Sequence, residues 1–452
     1  MQVDMSKHFS AWQLIKFSLP SIAMMIFTSV YTIVDGLFVS NFVGKTALAA
    51  VNIVFPMIMV LATVGFMMGM GGSALVGRAR GEGDEKRANR TFSLLVYFSI
   101  VMGLVLTVVG FLVVEPFSAA FGATGQMLDD CVVYGRIILA VEMPYILQFA
   151  FQAFLITAGK PNLGLAFTLT AGCMNIVLDA LLVAVFDMGL VGAAIATDAS
   201  ILVGGIGPLI YFISNNSSFL RLGKTQVKWR TIGLACVNGS SEMVANIAMS
   251  VVTMVYNAQL MALIGENGVA AYSVIAYVAM IFNAMFVGYS MGTAPLMSFQ
   301  YGASNRKEMH SLFSKGIKVI GVLGVAMLVA SQLMSSTLSQ LFVGYDVELF
   351  ELTRDAFSHY AIAFLLMGFS IYGSALFTSL SNGMVSAVIS FVRTFVFEVG
   401  AILLLPMLFG AGAIWYSIVV AELCSVVMTV AFEVKLGRRY GFASRDCSEA
   451  TA

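Results

Sequence analysis

Asp35, Asn175, Asp179 and Thr197 are oxygen-bearing side chains set in stretches that are otherwise strongly apolar. Asp35 lies nine residues before Gly44, Asp179 eight before Asp187, and Thr197 eight after Gly189. Those three residues mark the ends of apolar stretches. At ~1.5 Å per helical residue, the acids and the threonine all sit about 12 Å below one membrane surface. Asn175 precedes Asp179 by four residues, so the two stack on one helix face. Two carboxylates, an amide carbonyl and a hydroxyl are hard oxygen donors. They suit a small hard cation such as Na+, or a proton relay. Ionisable groups at the bilayer centre cost about 2.5–3.5 kcal/mol each on insertion scales, so each calls for a reason.

Other charges share the apolar stretches. Asp198 follows Thr197 but points about 100° away on an ideal helix, which predicts a different contact. Glu142 and Glu422 lie in span interiors without an evident partner. VFEV at 396–399 overlays VLDA at 177–180 with a small shift in register, making Glu398 the counterpart of Asp179. Arg393 lies five residues before Glu398; a structural ion pair and a substrate or proton site are both open readings. Glu242 falls on Ser21 in the repeat described below and is a second candidate for substrate or coupling. Arg136 and Arg393 are the arginines placed within spans. Pro20 removes a backbone hydrogen bond four turns before Asp35, which makes a place to bend or simply a helix-start proline. The three histidines, His8, His310 and His359, gather into no site. No nucleophile elbow, phosphate loop or metal-ligand spacing is present. An enzyme is therefore not expected, nor a cofactor.

The elements that position these groups are membrane helices. Apolar residues make up 59% of the 452, charged residues 11%, and the mean hydropathy is +0.92. Runs of about 20 apolar residues recur, each long enough to cross the hydrocarbon, where backbone hydrogen bonding demands helices. Twelve spans are predicted near 14–42, 50–75, 92–114, 132–157, 163–186, 190–213, 233–263, 268–297, 313–337, 355–380, 384–408 and 411–434.

The chain also repeats at a spacing of about 221 residues. LFVSNFVGKTALAAVNI from Leu37 aligns without a gap on AQLMALIGENGVAAYSV from Ala258, yet Asp35 falls on Tyr256. Two six-helix halves of like orientation follow, related by an axis along the membrane normal. Residues 1–214 and 232–436 are read as the two lobes, 215–231 as a polar, basic linker, and 437–452 as a tail. Lys and Arg concentrate around 78–90, 221–230, 306–318 and 435–445, which places both termini in the cytoplasm. The first apolar segment is too long for a signal core. The five cysteines form no C-x-x-C pair and indicate neither a disulfide framework nor a zinc site.

YTIVDGLFVSNFVGKTALAAVNI at 31–53, TAGKPN at 157–162, NIVLD at 175–179 and YNAQLMALIGENGVAAYSV at 256–274 resemble the multidrug and toxic compound extrusion (MATE) transporters, in the bacterial branch containing DinF and MepA. The resemblance implies an all-α integral membrane fold of two pseudo-symmetric six-helix bundles in a V. It assigns cation-site roles to Asp35, Asn175, Asp179 and Thr197, the bending position of the first span to Pro20, and a contact in the same lobe to Tyr134. It implies drug efflux, outward against inward H+ or Na+, with lipophilic and often cationic substrates. A monomer in the bacterial inner membrane is expected, with lipid around it and no nucleic-acid partner. An exporter of lipid-linked saccharides in the same superfamily is the alternative; a broad basic cavity would favour it.

Overall fold

The computed structural model describes residues 5–344 and 346–442. Most of the predicted tail, 443–452, lies outside the described residues. The helices are α1 Ala11–Phe38, α2 Lys45–Gly81, α3 Glu85–Ala120, α4 Gln126–Ala140, α5 Glu142–Thr157, α6 Pro161–Asp179, α7 Gly189–Ile213, α8 Trp229–Leu263, α9 Glu266–Gly302, α10 Arg306–Val343, α11 Val347–Tyr360, α12 Ala363–Ser379, α13 Gly383–Phe391, α14 Val399–Phe409 and α15 Ser417–Tyr440. Ten spans are continuous. Two bent pairs, α4 with α5 at 56° and α11 with α12 at 45°, bring the candidate crossings among the described residues to twelve if each pair is one span.

The sequence predicts single helices at 132–157 and 355–380, and both are broken. At the first break Pro144 supplies no N–H, so the Ala140 carbonyl loses its helical donor. Val141 N bonds Ile138 O instead, at 3.1 Å, which tightens the turn. At the second break no proline intervenes; Phe364 N and Leu365 N bond Ala361 O and Ile362 O three residues back. By contrast, α1 runs unbroken through Pro20, started by a capping box between Ser10 and Gln13.

The 221-residue repeat is written into the turns. Gly44 and Gly265 precede α2 and α9 with φ of 110° and 85°, a region that a Cβ disfavours. Asp84 and Asn305 cap α3 and α10, accepting from Arg87 N at 2.9 Å and Glu308 N at 3.2 Å.

Within the first half α2 packs on α3 and α5, and α6 on α1 and α7; within the second, α12 packs on α9, α10 and α15. The halves meet through α1 on α9 and α2 on α8 and α9. Their close approaches lie toward the end carrying the basic segments, and small residues permit them. A Cβ at Gly239 would lie 2.0 Å from the Met67 carbonyl oxygen, and one at Gly302 2.1 Å from that of Arg78. The start of α1 belongs to the second half's core: Phe9, Leu14, Phe17 and Ile22 cluster with Phe286, Tyr289 and Leu312. Before it, Phe9 N donates to Glu308 Oε1 at 3.0 Å and Gln300 Nε2 to Met5 O at 2.8 Å. Outward-facing apolar side chains such as Leu112 on α3 and Leu333 on α10 present a face suited to lipid.

The predicted linker, 215–231, is irregular up to Lys228, and its last three residues open α8. It is pinned to α3 through Asn89, which donates to Phe219 O at 2.8 Å and accepts from Arg221 N at 2.8 Å.

Candidate cation and substrate sites

The first-half acids come together. Asp35 on α1 and Asp179 at the end of α6 lie close enough for one protonated carboxyl to hydrogen-bond the other. Tyr134 on α4 is buried within electrostatic reach of Asp35, Asp179 and Asp198. Asn175 is buried one turn from Asp179, and Thr197 lies on α7, which packs on α6. Asp35 Oδ1, both Asp179 carboxylate oxygens, Asn175 Oδ1, Thr197 Oγ1 and Asp198 Oδ1 are buried without a hydrogen-bond partner in the protein. A buried polar atom left unpaired costs about 1–3 kcal/mol. A group of such oxygens within one bundle is thus poised to gain from an arriving proton or cation.

Asp198 is partly buried on α7, its Oδ1 has no hydrogen-bond partner, and it stands within electrostatic reach of Tyr134. Glu142 extends the polar interior. It opens α5 at the bend, is fully buried, and neither of its oxygens has a partner. Tyr145 stands within electrostatic reach of Glu142 and Asp35, and its hydroxyl donates to Met59 Sδ at 3.9 Å.

Sequence reasoning missed the π-helical turns. One spans Val39–Val43 a turn after Asp35, one spans Ala180–Val185 directly after Asp179, and one spans Val392–Glu398 and ends on Glu398. Such turns recur at functional sites because they widen the helix and free backbone groups. The sequence carries no composition signal for them.

In the second half Glu398 and Glu422 share a cation. Arg393 donates through Nε to Glu422 Oε1 at 3.0 Å, and its Nη2 donates to the same oxygen. Its Nε lies 3.7 Å from Glu398 Oε1. Glu422, which has no evident partner in the sequence, is fully buried against this guanidinium. Arg393, Glu398, Thr394 and Glu242 line a cavity of about 340 Å³, together with Tyr272 and Tyr360. Met249, Met280 and Met367 complete a deformable apolar wall. Tyr256, at the position equivalent to Asp35, is fully buried; its hydroxyl donates to Ile414 O at 2.7 Å and its ring stacks on Tyr272 at 4.3 Å. Arg136 is half-exposed, 3.7 Å from Glu115, and stands apart from the cavity. Among the described residues no three His, Cys, Asp or Glu side chains converge as metal ligands.

A helical multi-pass membrane protein with polar groups buried inside each of two repeated bundles is a transporter in design. The profile of the MatE family matches residues 20–181 and 243–402, one block in each half, and the chain belongs to that family. It is 23% identical over 414 residues to the multidrug export protein MepA of Staphylococcus aureus (strain MRSA252), covering 91% of this chain and 90% of the relative. The MepA of Staphylococcus haemolyticus (strain JCSC1435) is 22% identical over 422 residues, 93% of this chain and 92% of that one. Among solved structures, an outward-facing multidrug resistance MATE family transporter of the MOP superfamily superposes with a TM-score of 0.90 at 20% identity, over 94% of this chain and 96% of that one. A MATE protein in its straight conformation superposes with a TM-score of 0.88 at 21% identity, over 94% and 95% of the two chains.

Proposed function

We propose that the chain exports lipophilic, often cationic drugs from the cell in exchange for inward H+ or Na+. The observation that carries this reading is the Asp35–Asp179 pair, two neighbouring carboxylates of which Asp35 Oδ1 and both Asp179 oxygens are buried without a partner. A proton or sodium ion reaching the pair, with Asn175 and Thr197 as further oxygen donors, relieves the charge repulsion and the unpaired oxygens together. Occupancy then favours one packing of the first lobe over another, which is what coupling requires. Residues 1–214 and 232–436 act as the two lobes, with 215–231 joining them. Close approach at the basic end, with the chain's likeness to an outward-facing transporter, supports an outward-open arrangement in which the pair loads from outside. Pro20 is the point at which α1 bends in the alternative state.

Substrate occupies the second-lobe cavity. Glu242 and Glu398 line it, and its one guanidinium, Arg393, is already paired with the buried Glu422 behind it, so the site suits a cation. Tyr272 and Tyr360 offer aromatic faces to it, and the methionines adapt to its shape. Arg393 is the arginine of that lining and is already committed to carboxylates, which speaks against a lipid-linked saccharide with its phosphates. The protein works as a monomer in the cytoplasmic membrane with both termini inside. Asp35→Asn removes the ionisable half of the pair: drug resistance is lost while the protein still reaches the membrane. Resistance equal to the parent chain's in that variant would sink the mechanism. Efflux from vesicles under separately imposed H+ and Na+ gradients identifies the coupling ion.

A further inference from the structure

A buried amide bonds across the contact between the halves. Asn238 on α8 is 3% exposed. Its Nδ2 donates to Gly71 O of α2 at 3.3 Å and to Thr378 O of α12 at 2.8 Å. Both partners are carbonyl oxygens, so the amide nitrogen must face them. α2 and α8 touch backbone to backbone here: a Cβ at Gly71 would lie 2.1 Å from Ala235 O. The repeat supplies a comparison. At the equivalent contact Gly292 meets Ser18, and the counterpart of Asn238 is Phe17, buried in an apolar cluster. One copy meets the packing need at this position with an aromatic ring, so the amide in the other calls for a separate reason.

That reason lies behind Asn238. Hydroxyls run from its neighbours to the second-lobe cavity, each within hydrogen-bond distance of the next. Ser241 Oγ lies 3.3 Å from Thr378 Oγ1, and Thr378 Oγ1 lies 2.7 Å from Ser386 Oγ. Ser374 Oγ lies 2.8 Å from Ser386 Oγ and 3.0 Å from Ser390 Oγ. Ser374 and Ser390 line the cavity, as does Glu242, one helical turn beyond Asn238 on the same face of α8. The cluster therefore ties α8, α12 and α13 together between the cavity and the contact of the halves. α13 is seated on the same point, since a Cβ at Gly383 would lie 2.2 Å from Asn238 Cα. Hydroxyls exchange partners by rotating their hydrogens, whereas a close-packed apolar wall yields only by strain. A group that enters the cavity and bonds Ser374 or Ser390 re-orders the hydroxyls that adjoin Asn238.

We propose that Asn238 is the latch that closes the halves at their basic end, and that substrate in the second-lobe cavity sets it through Ser374, Ser386 and Thr378. The inference rests on the export reading above, in which a loaded substrate favours closure at the basic end. The two-state element is the contact of α2 with α8: the Asn238–Gly71 bond is made when the helices meet and lost when they part. Asn238 is a positioning residue and does not line the cavity. A cation held by Glu242, with a donor on Ser374 or Ser390, orders Thr378 and Ser241, and these hold the amide toward Gly71. Substrate then binds the closed packing better than the open one, which is what a population shift requires.

The test uses the full chain in lipid vesicles, with its five cysteines replaced by alanine and spin labels at Lys86→Cys and Lys307→Cys. These positions are exposed and equivalent in the repeat, one at the basic end of each half. The distance distribution between the labels gives the ratio of open to closed basic ends. Without substrate or gradient, Asn238→Leu raises that ratio by about 2–12-fold, the population change that one net hydrogen bond is worth. Asn238→Ala is measured beside it, so that a folding failure of either variant leaves the other to decide. Ethidium, a lipophilic aromatic cation whose amino groups donate hydrogen bonds, lowers the ratio in the parent chain. Ser386→Ala, which lies outside the cavity lining, still binds ethidium and loses that response. Parental ratios at Asn238→Leu and Asn238→Ala overturn the latch, and so does a fall in unfolding temperature with the ratio unmoved, which marks packing alone. A parental ethidium response in Ser386→Ala overturns the link to the cavity. Absence of ethidium efflux by the parent chain under both H+ and Na+ gradients overturns the export reading instead, and the ratios taken without substrate still decide the latch.

Discussion

Asp35 and Tyr256 occupy equivalent positions 221 residues apart, and they meet opposite fates. The Tyr256 hydroxyl is tied to the Ile414 carbonyl and its ring is stacked on Tyr272. Asp35 faces another carboxylate, and one of its oxygens has no partner. The contrast continues at the next equivalent pair. Asp179 keeps both oxygens unpaired, whereas Glu398 stands 3.7 Å from a guanidinium. Among the described residues, the first lobe's facing acids have no cation beside them, whereas the second sets one guanidinium between Glu398 and Glu422. The same scaffold occurs twice with unequal charge, and under the coupling proposed above that makes the first half the one that responds to an ion.

The largest effect should fall on transport. Under the coupling proposed above, Asp179→Asn, like Asp35→Asn, reduces ion-driven drug efflux from vesicles to that of protein-free vesicles. Glu398→Gln leaves measurable efflux with altered substrate preference. Equal losses from both lobes would erase the functional side of the comparison.

Stability should separate the lobes next, with the sign reversed. Arg393→Met strands Glu422 and Glu398 in a buried site, and removing one partner of a buried pair costs about 3–5 kcal/mol. Thermal unfolding in detergent should fall accordingly. The double variant Arg393→Met, Glu422→Leu should recover much of the loss, since an apolar pair of similar volume can replace a buried ion pair. A smaller shift in the opposite direction is expected in the first lobe. Asp179→Asn relieves carboxylate repulsion and supplies an N–H donor to Asp35, raising stability by about 1–2 kcal/mol. A fall in unfolding temperature there would mean that the acids are already satisfied by bound ions or water.

Much of this contrast was legible in the sequence, because depth counting needs only helical rise and turn positions. It brought Asp35, Asn175, Asp179 and Thr197 to one layer, and repeat alignment set Tyr256 against Asp35. What a local reading does not reach is contact between distant spans. The pairing of Arg393 with Glu422 joins positions 29 residues apart on different spans, and no local pattern encodes it. The bend at Val141 was readable from Pro144; its counterpart before Ala363 has no such residue, and the π-helical turns beside Asp35, Asp179 and Glu398 follow no composition rule that single-sequence reading uses.

The smallest effect tests whether Tyr256 is a retired ion-site position or still contributes to exchange. Tyr256→Phe removes one hydroxyl and keeps the stacking on Tyr272. The Ile414 carbonyl loses that donor, so stability should fall by about 0.5–1.5 kcal/mol, the usual net value of such a bond. Ion-driven efflux and its dependence on the ion gradient should not change, because the hydroxyl is spent on backbone at the Ala411–Tyr416 turn and reaches no acid of the first lobe. An altered ion dependence with unaltered stability would place Tyr256 in the coupling path, and the contrast drawn between Asp35 and Tyr256 would have to be redrawn.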